Sequence, residues 1–218
     1  MFSVITSLDA EDALHEAGTD GIIEHDGYLE AFFKDRAVAA LFGDPVECDS
    51  TDWVQHTYDA WPPILVGEKF FVAAPWRTDP TPPGRFRLEL NPGLQCGTGQ
   101  HPCTRLCLEA MEREVKPGDS VLDVGSGSGI LSIAAKLLGA GRVIACDIDP
   151  AVTECVANPV PFFLGSADAV RDGAFDIVVA NIGKEVLGGL RADLERVARR
   201  RILSGFQDEK GDWACMLS

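Results

Sequence analysis

Basic side chains are scarce in this sequence of 218 residues. The 19 lysines and arginines are outnumbered by 34 aspartates and glutamates, which gives a formal net charge of −15. A protein that grips nucleic acid over a wide surface needs the opposite balance, because most of its contacts go to phosphates. We therefore expect no direct nucleic-acid partner.

Long apolar runs, targeting signals and paired cysteines are also missing. No apolar run approaches the roughly 18 residues of a membrane span, and Met1–Gly18 lacks the basic and apolar regions of a secretory signal. The seven cysteines contain no CxxC pair, and Cys103 with Cys107 makes only a weak case for zinc. We predict buried free thiols, no metal, no membrane partner and a cytoplasmic location.

Acidic residues are concentrated at the N-terminal end. Residues 1–55 hold 13 acidic side chains but only Lys34 and Arg36 as bases, so this region carries a net charge of −11. Such a charge fits either a solvated surface or a module that docks a basic partner. Helix-like segments at Ala10–Gly18 and Val38–Phe42 alternate with strand-like segments, which predicts a small α+β domain over 1–55. The proline-rich stretch 56–66 predicts a linker to a second domain, 67–218.

From residue 121 onward, predicted strands alternate with predicted helices. The strands are Val121–Val124, Arg142–Cys146, Phe162–Leu164, Phe175–Ala180 and Ile202–Ser204, and the helices are Ile130–Leu138, one opened by Pro150 behind Asp149, and Glu185–Ala198. This order predicts an α/β fold, with a mostly parallel sheet covered by helices on both faces in the Rossmann-like manner.

A glycine-rich turn joins the first of these strands to its helix. Gly125, Gly127 and Gly129 form a GxGxG pattern, which lets the backbone approach a ligand beside the free N–H groups of a helix N-terminus. A dinucleotide fingerprint needs a glycine where Ile130 stands, so NAD and FAD are disfavoured. With Asp123 before the turn, the pattern is typical of domains that bind S-adenosylmethionine (SAM).

Three polar residues follow later strands, at the edge where α/β sheets bind ligands. Asp147 comes 22 residues after Gly125, where a carboxylate can accept hydrogen bonds from both hydroxyls of an adenosine ribose. Asp168 is placed either to contact adenine or to form a turn. Asn181 follows Phe175–Ala180, where a turn role is the alternative to the favoured position beside the transferred methyl group.

Three blocks of the sequence resemble the PrmA family, the methyltransferases of ribosomal protein L11. The blocks are NPGLQCGTGQHPCT at Asn91–Thr104, the segment Val121–Pro150 with the glycine turn, and FDIVVANI at Phe175–Ile182. The resemblance extends from about Trp53 to the C-terminus, and its first block is far more specific than a glycine turn alone.

The resemblance implies a cytoplasmic enzyme with two domains. The small N-terminal domain would capture the ribosomal protein, and a class I methyltransferase domain would methylate its lysine and N-terminal amines. The family's cofactor contacts carry over to Thr104, Gly125, Asp147 and Asn181, with Gly127 in the same turn. A basic ribosomal protein as substrate favours the docking interpretation of the acidic N-terminal region.

The C-terminal region departs from the family pattern. Gly205 reaches Trp213 in eight residues, where the family has a further helix and strand, so either the sheet is shortened or segments are missing. The alternatives are a SAM-dependent methyltransferase of another protein or of a small molecule, and a SAM-binding protein without catalysis. No catalytic base is identified, and His101 is expected to shape its loop.

Overall fold

The computed structural model describes residues 1–48, 59, 61–90, 99, 101–152 and 160–218. The chain divides into two compact units, Met1–Trp61 and Pro62–Ser218. Part of the predicted linker at 56–66 lies outside the described residues. Its last three residues form strand β5, Ile64–Val66, so regular structure begins inside the predicted linker.

The N-terminal unit is built on a four-stranded antiparallel sheet. Its strands are β1 (Phe2–Thr6), β2 (Gly21–His25), β3 (Tyr28–Phe33) and β4 (Val46–Glu47), in the order β2-β3-β1-β4. Two short helices accompany it, α1 (Glu11–Glu16) and α2 (Arg36–Ala39). Val4, Leu14 and Phe33 are among the buried side chains of its core.

The helices of this unit differ from the sequence prediction. The segment expected as one helix from Ala10 to Gly18 is a 3-10 turn, Leu8–Ala10, followed by α1. The helix expected at Val38–Phe42 begins earlier, because the Asp35 side chain accepts a hydrogen bond from the backbone N–H of Ala37 and caps it there. Strand β1 was not predicted.

The C-terminal unit contains two sheets and three described helices of eight or more residues. The smaller sheet joins β5, β6 (Phe70–Ala73) and β7 (Phe86–Glu89). The larger sheet joins β8 (Ser120–Val124), β9 (Arg142–Asp147), β10 (Phe162–Leu164), β11 (Phe175–Asn181), β12 (Ala198–Gln207) and β13 (Trp213–Leu217). The helices are α3 (Pro102–Glu114), α4 (Ile130–Leu137) and α5 (Lys184–Val197).

Helices cover the larger sheet on both faces, as the alternating pattern predicted. Neighbouring residues of a strand point to opposite faces, so Val121 packs in the core that includes α3 and α4, while Leu122 packs in the core that includes α5. The strand order is β10-β9-β8-β11-β12-β13, with β8 to β12 parallel. The α/β fold is therefore confirmed.

None of the described helices is long and apolar enough to cross a membrane.

The shortened C-terminal region closes the sheet as a hairpin. Strand β12 runs for ten residues, well beyond the predicted Ile202–Ser204, and begins directly after α5. It pairs antiparallel with β13, and Gln207 lies opposite Trp213. A tight turn at Asp208–Gly211 joins the two strands, at the place where the family pattern has a further helix and strand.

Candidate functional site

The glycine turn lies between the end of β8 and the start of α4. The backbone N–H groups of Gly125 and Ser126 both donate to the carbonyl of Cys146 on the neighbouring strand, at 2.9 and 3.1 Å. Gly125 has φ +69°, and a Cβ placed on it would collide with the side chain of Ile182. Glycine is therefore required at this position by both its backbone conformation and the lack of space.

Asp147, the last residue of β9, is fixed against this turn. Its Oδ2 accepts a hydrogen bond from the N–H of Gly127 at 2.9 Å, and its Oδ1 accepts one from the N–H of Asp149 at 3.0 Å. A carboxylate has about four acceptor positions, so each oxygen retains capacity for a ligand hydroxyl. The next acid, Asp149, accepts from the N–H of Ala151 at 2.9 Å, as a helix N-cap does. Residues 153–159, in the helix expected there, lie outside the described residues.

Asn181 and Thr104 meet on the other side of the site. Asn181 ends β11, and its Nδ2 donates to Oγ1 of Thr104 at 3.0 Å. Thr104 lies in the first turn of α3 and is 1% exposed. Most of the preceding family-like loop, residues 91–98 and 100, lies outside the described residues.

One cavity of about 960 Å³ is lined by all five residues assigned to the cofactor, Thr104, Gly125, Gly127, Asp147 and Asn181. The structure thus brings together residues from four separate elements, since the two glycines share one turn. Ile148, Val186 and Leu190 add apolar surface near Asp147 and the start of α5. Asp168 is not among its lining residues, so the suggested adenine contact by this side chain finds no support.

Sequence reasoning named Asp123 as the acid before the turn, but it missed the burial of Asp123 and Ser126. Asp123 is fully buried, and its Oδ2 accepts from the hydroxyl of Ser132 at 2.6 Å. Burial raises the pKa of Asp123 to about 6, which the Ser132 hydrogen bonds only partly oppose. Within the described part of the chain, Oδ1 of Asp123 and Oγ of buried Ser126 have no hydrogen-bond partner. The acid before the turn and Ser126 inside it were visible in the sequence, but nothing in the pattern indicated that both are buried.

His101 shapes the start of α3. It occupies the N-cap position, and its Nδ1 accepts from the backbone N–H of Cys103 at 3.3 Å. Its ring packs edge-on against Trp213 of β13, with 4.6 Å between ring centroids, and both side chains line the cavity. Among the described residues, no group of three or more His, Cys, Asp or Glu side chains is placed to hold a metal ion.

The fold and the cavity define a class of protein. A glycine turn after the first strand of a mostly parallel sheet, an acid ending the next strand and a cavity at the carboxyl ends of the strands characterise the class I SAM-dependent methyltransferase fold. The chain belongs to the ribosomal protein L11 methyltransferase family (PrmA), whose model matches residues 14–213.

Individual relatives support this membership. The ribosomal protein L11 methyltransferase of Burkholderia lata is 44% identical over 174 residues, which cover 76% of this chain and 58% of the relative. The Burkholderia pseudomallei protein of the same name is 43% identical over 174 residues. The chain thus spans somewhat more than half the length of these relatives. A crystal structure of the L11 methylase from Lactobacillus delbrueckii subsp. bulgaricus is 33% identical, with a TM-score of 0.60 over 66% of this chain and 80% of that one.

Proposed function

We propose that this chain transfers methyl groups from SAM to amine nitrogens of ribosomal protein L11, on lysine, at the N-terminus or at both. The observation that carries the proposal is the single cavity lined by the glycine turn, Asp147 and the Asn181–Thr104 pair. One part of this cavity suits an adenosine-containing cofactor, and the other carries a neutral hydrogen-bonding group, Asn181, that would face the amine. The names of the relatives supply the substrate.

The residues present fit SAM. Gly125 lines the cavity in the turn that leads into α4, so its backbone can approach a ligand there. Asp147 would accept hydrogen bonds from the ribose hydroxyls, and Ile148, 74% exposed at the cavity, offers an apolar surface for the adenine. Thr104, Gly127 and Asn181 complete the set of proposed cofactor contacts.

Orientation of the amine is the main task of the remaining residues. SAM bound here would supply an electrophilic methyl group: the amine lone pair would form the new N–C bond, and the C–S bonding pair would leave with sulfur. An amine reacts only when neutral, although the pKa of a free lysine is about 10.4, so a partly desolvated pocket must favour the neutral form. Asn181 is the side chain placed to align it, and the proton left on the product nitrogen passes to water.

Charge favours a basic protein as the partner. The net charge of −11 over residues 1–55 is complementary to a basic ribosomal protein and speeds encounters with one. The same charge opposes direct contact with nucleic acid or with an anionic membrane surface. A cytoplasmic location is consistent with a substrate that is part of the ribosome.

Methyl transfer to purified recombinant L11 tests this proposal. With SAM carrying a labelled methyl group, we expect incorporation into L11, and mass spectrometry should find the added mass on lysine or the N-terminal amine. Asn181→Ala should reduce the rate by about 100-fold, because the acceptor loses its alignment. Asp168→Asn, outside the cavity, serves as the control.

The other outcomes separate the alternatives. Binding of S-adenosylhomocysteine without transfer to L11 would favour a different methyl acceptor. Binding without transfer to L11, other proteins or small amines would favour a SAM-binding protein. Absence of binding would contradict the cofactor assignment itself.

A further inference from the structure

Two cysteines meet where α3 packs on the last strand of the sheet. Cys107 lies in α3 and is fully buried, whereas Cys215 lies in β13 and is half-buried. Cys215 is the register partner of Ser204, whose hydroxyl reaches the carbonyl of Cys103 in α3. Partners opposite each other in a sheet share a face, so Cys215 also faces α3, where it packs on the apolar cluster that contains Cys107. The two thiols are hydrogen-bonded to each other.

This hydrogen bond makes the two thiols unequal. It lowers the pKa of Cys215, because the Cys107 S–H group donates to the Cys215 sulfur; partial burial opposes this shift, and the charge of Arg113 adds to it. The same hydrogen bond, together with burial, raises the pKa of Cys107 well above its usual range. The buried Cys146 shows the ordinary case, since burial raises the pKa of its thiol to about 12. Cys215 is therefore the reactive member of the pair, and Cys107 is its protected neighbour.

The arrangement suits thiol oxidation. Cysteines that sense oxidants combine a lowered pKa with access to solvent and often have a second thiol beside them that resolves the first product. Disulfides formed in a reducing compartment are usually transient and of this kind. Metal binding is not the alternative here, since the described ranges contain no cluster of three or more His, Cys, Asp or Glu side chains placed to hold an ion.

We propose that Cys215 is a site of oxidation by hydrogen peroxide and that Cys107 resolves it to a disulfide, which ties α3 to β13 and slows methyl transfer. First, the Cys215 sulfur attacks a peroxide oxygen: the S–O bond forms, the O–O bond breaks, and the released hydroxide takes up the proton that the thiol lost. Next, the Cys107 sulfur attacks the sulfur of the Cys215 sulfenic acid: the S–S bond forms, the S–O bond breaks, and the hydroxyl leaves with the Cys107 proton as water. Two thiols are thus oxidised, and one peroxide is reduced to two waters.

The disulfide would displace two parts of the cavity wall. Thr104 lies three residues before Cys107, Trp213 lies two residues before Cys215, and both line the cavity. A disulfide holds its sulfurs about 2.05 Å apart, closer than hydrogen-bonded thiols, so α3 and β13 must move toward each other. A displacement of about 1 Å at a site can slow a reaction on the order of 100-fold. We expect about a tenfold loss, because helix and strand share the movement. This loss rests on the proposed function, whereas formation of the disulfide does not.

Peptide mapping of the full chain tests the disulfide. The reduced protein is treated with equimolar hydrogen peroxide, its remaining thiols are blocked with N-ethylmaleimide, and it is digested without reductant. Trypsin releases Cys107 in Leu106–Arg113 and Cys215 in Gly211–Ser218, and it leaves Cys103 in another peptide. We expect the mass of the first two peptides joined. Blocked, unjoined peptides, or Cys215 joined to a different cysteine, would overturn the proposal.

Single variants separate the two thiols. Cys107→Ser keeps a hydrogen-bond donor but cannot resolve, so Cys215 should stop at the sulfenic acid, which dimedone traps; Cys107→Ala takes its place if that variant fails to fold. In Cys215→Ser, the buried Cys107 should stay reduced. Cys48, half-buried in the N-terminal unit, is the internal control, and Cys215 should react with peroxide about tenfold faster. Equal rates at Cys48 and Cys215, or oxidation of Cys107 in Cys215→Ser, would contradict the assigned roles.

Methyl transfer to L11 gives the second readout. Peroxide should lower kcat of the wild type about tenfold, and dithiothreitol should restore it, whereas kcat of Cys107→Ser should change less than twofold with peroxide. An unchanged kcat in fully cross-linked protein would overturn the effect on transfer. If the reduced protein transfers no methyl group to L11, the joined peptide still decides the cysteine site: its presence supports the disulfide while the substrate is rejected.

Discussion

The two ends of the cavity are built in different ways. At the glycine turn, the ligand-facing groups come from the short stretch between Val124 and Asp149, and backbone N–H groups and one carboxylate dominate. At the other end, Thr104 and Asn181 come from elements far apart in the sequence, and their neutral side chains bond to each other. Behind them, the buried Ser204 hydroxyl bonds to the backbone carbonyl of Cys103. A local motif thus forms the proposed cofactor end, whereas the tertiary fold assembles the proposed acceptor end.

Gly125→Ala is expected to impair cofactor binding at the glycine-turn end of the cavity more than any other substitution described below. The added methyl group meets Ile182, and an L-residue at φ +69° costs about 1–2 kcal/mol in addition. S-adenosylhomocysteine affinity should therefore fall roughly 100-fold by calorimetry. Gly173→Ala is the matched control, because Gly173 has φ +60° and no described atom lies within 4 Å of its Cβ position. If both variants bind equally, the turn does not shape the cofactor end.

The pH dependence of the protein's stability should also arise at the glycine-turn end of the cavity. Burial raises the pKa of Asp123 from 3.8 to about 6, so the folded protein holds this proton more tightly than the unfolded chain does. The tighter binding of this proton adds to the free energy of unfolding. Its full contribution is present below about pH 4 and is lost as the pH rises through 6. A shift of about two pKa units corresponds to about 3 kcal/mol.

Asp123→Asn has no proton to lose at this site. Between pH 4 and 7, the unfolding free energy of the wild type should fall relative to that of the variant, as measured by denaturant titration at several pH values. Asp168→Asn, an exposed acid, should follow the wild type. Parallel curves for the wild type and Asp123→Asn would show that Asp123 does not titrate as its burial indicates.

Asp147→Asn sharpens the comparison with a smaller effect. An amide in place of the carboxylate loses acceptor capacity and places a donor near the N–H of Gly127 or Asp149. We expect S-adenosylhomocysteine to bind about tenfold more weakly, the equivalent of about 1.4 kcal/mol. Asn181→Ala should change this affinity less than Asp147→Asn does. The reverse order would place the main cofactor contacts at the acceptor end.

The same contrast explains what the sequence could predict. The turn, Asp147 and the alternating strands could be predicted because a strand–turn–helix pattern involves residues that are consecutive in the sequence. The bond between Asn181 and Thr104 joins residues 77 positions apart, and both had been assigned to the cofactor separately. The hydrogen bonds of Ser204 could not be predicted from neighbouring residues, because a serine inside an apolar strand reaches its partners only after α3 has packed on β12. The antiparallel pairing of β12 with β13 also had no local signal, although the short segment between Gly205 and Trp213 was visible.

Ser204→Ala should give the smallest effect and test whether the acceptor end depends on tertiary contacts. The variant removes the hydroxyl whose one proton is shared between the carbonyls of Ala214, at 2.8 Å, and Cys103, at 3.2 Å, at a cost of about 1 kcal/mol in stability. Because α3 is then held less firmly, kcat for L11 should fall by about threefold to fivefold with the Kd for S-adenosylhomocysteine unchanged. Ser120→Ala is the matched control, since the Ser120 hydroxyl donates to Asp176 at the opposite ends of the parallel strands. It should lose stability without losing kcat. Equal losses of kcat in the two variants would mean that general softening of the sheet, and not the attachment of α3, sets the acceptor geometry.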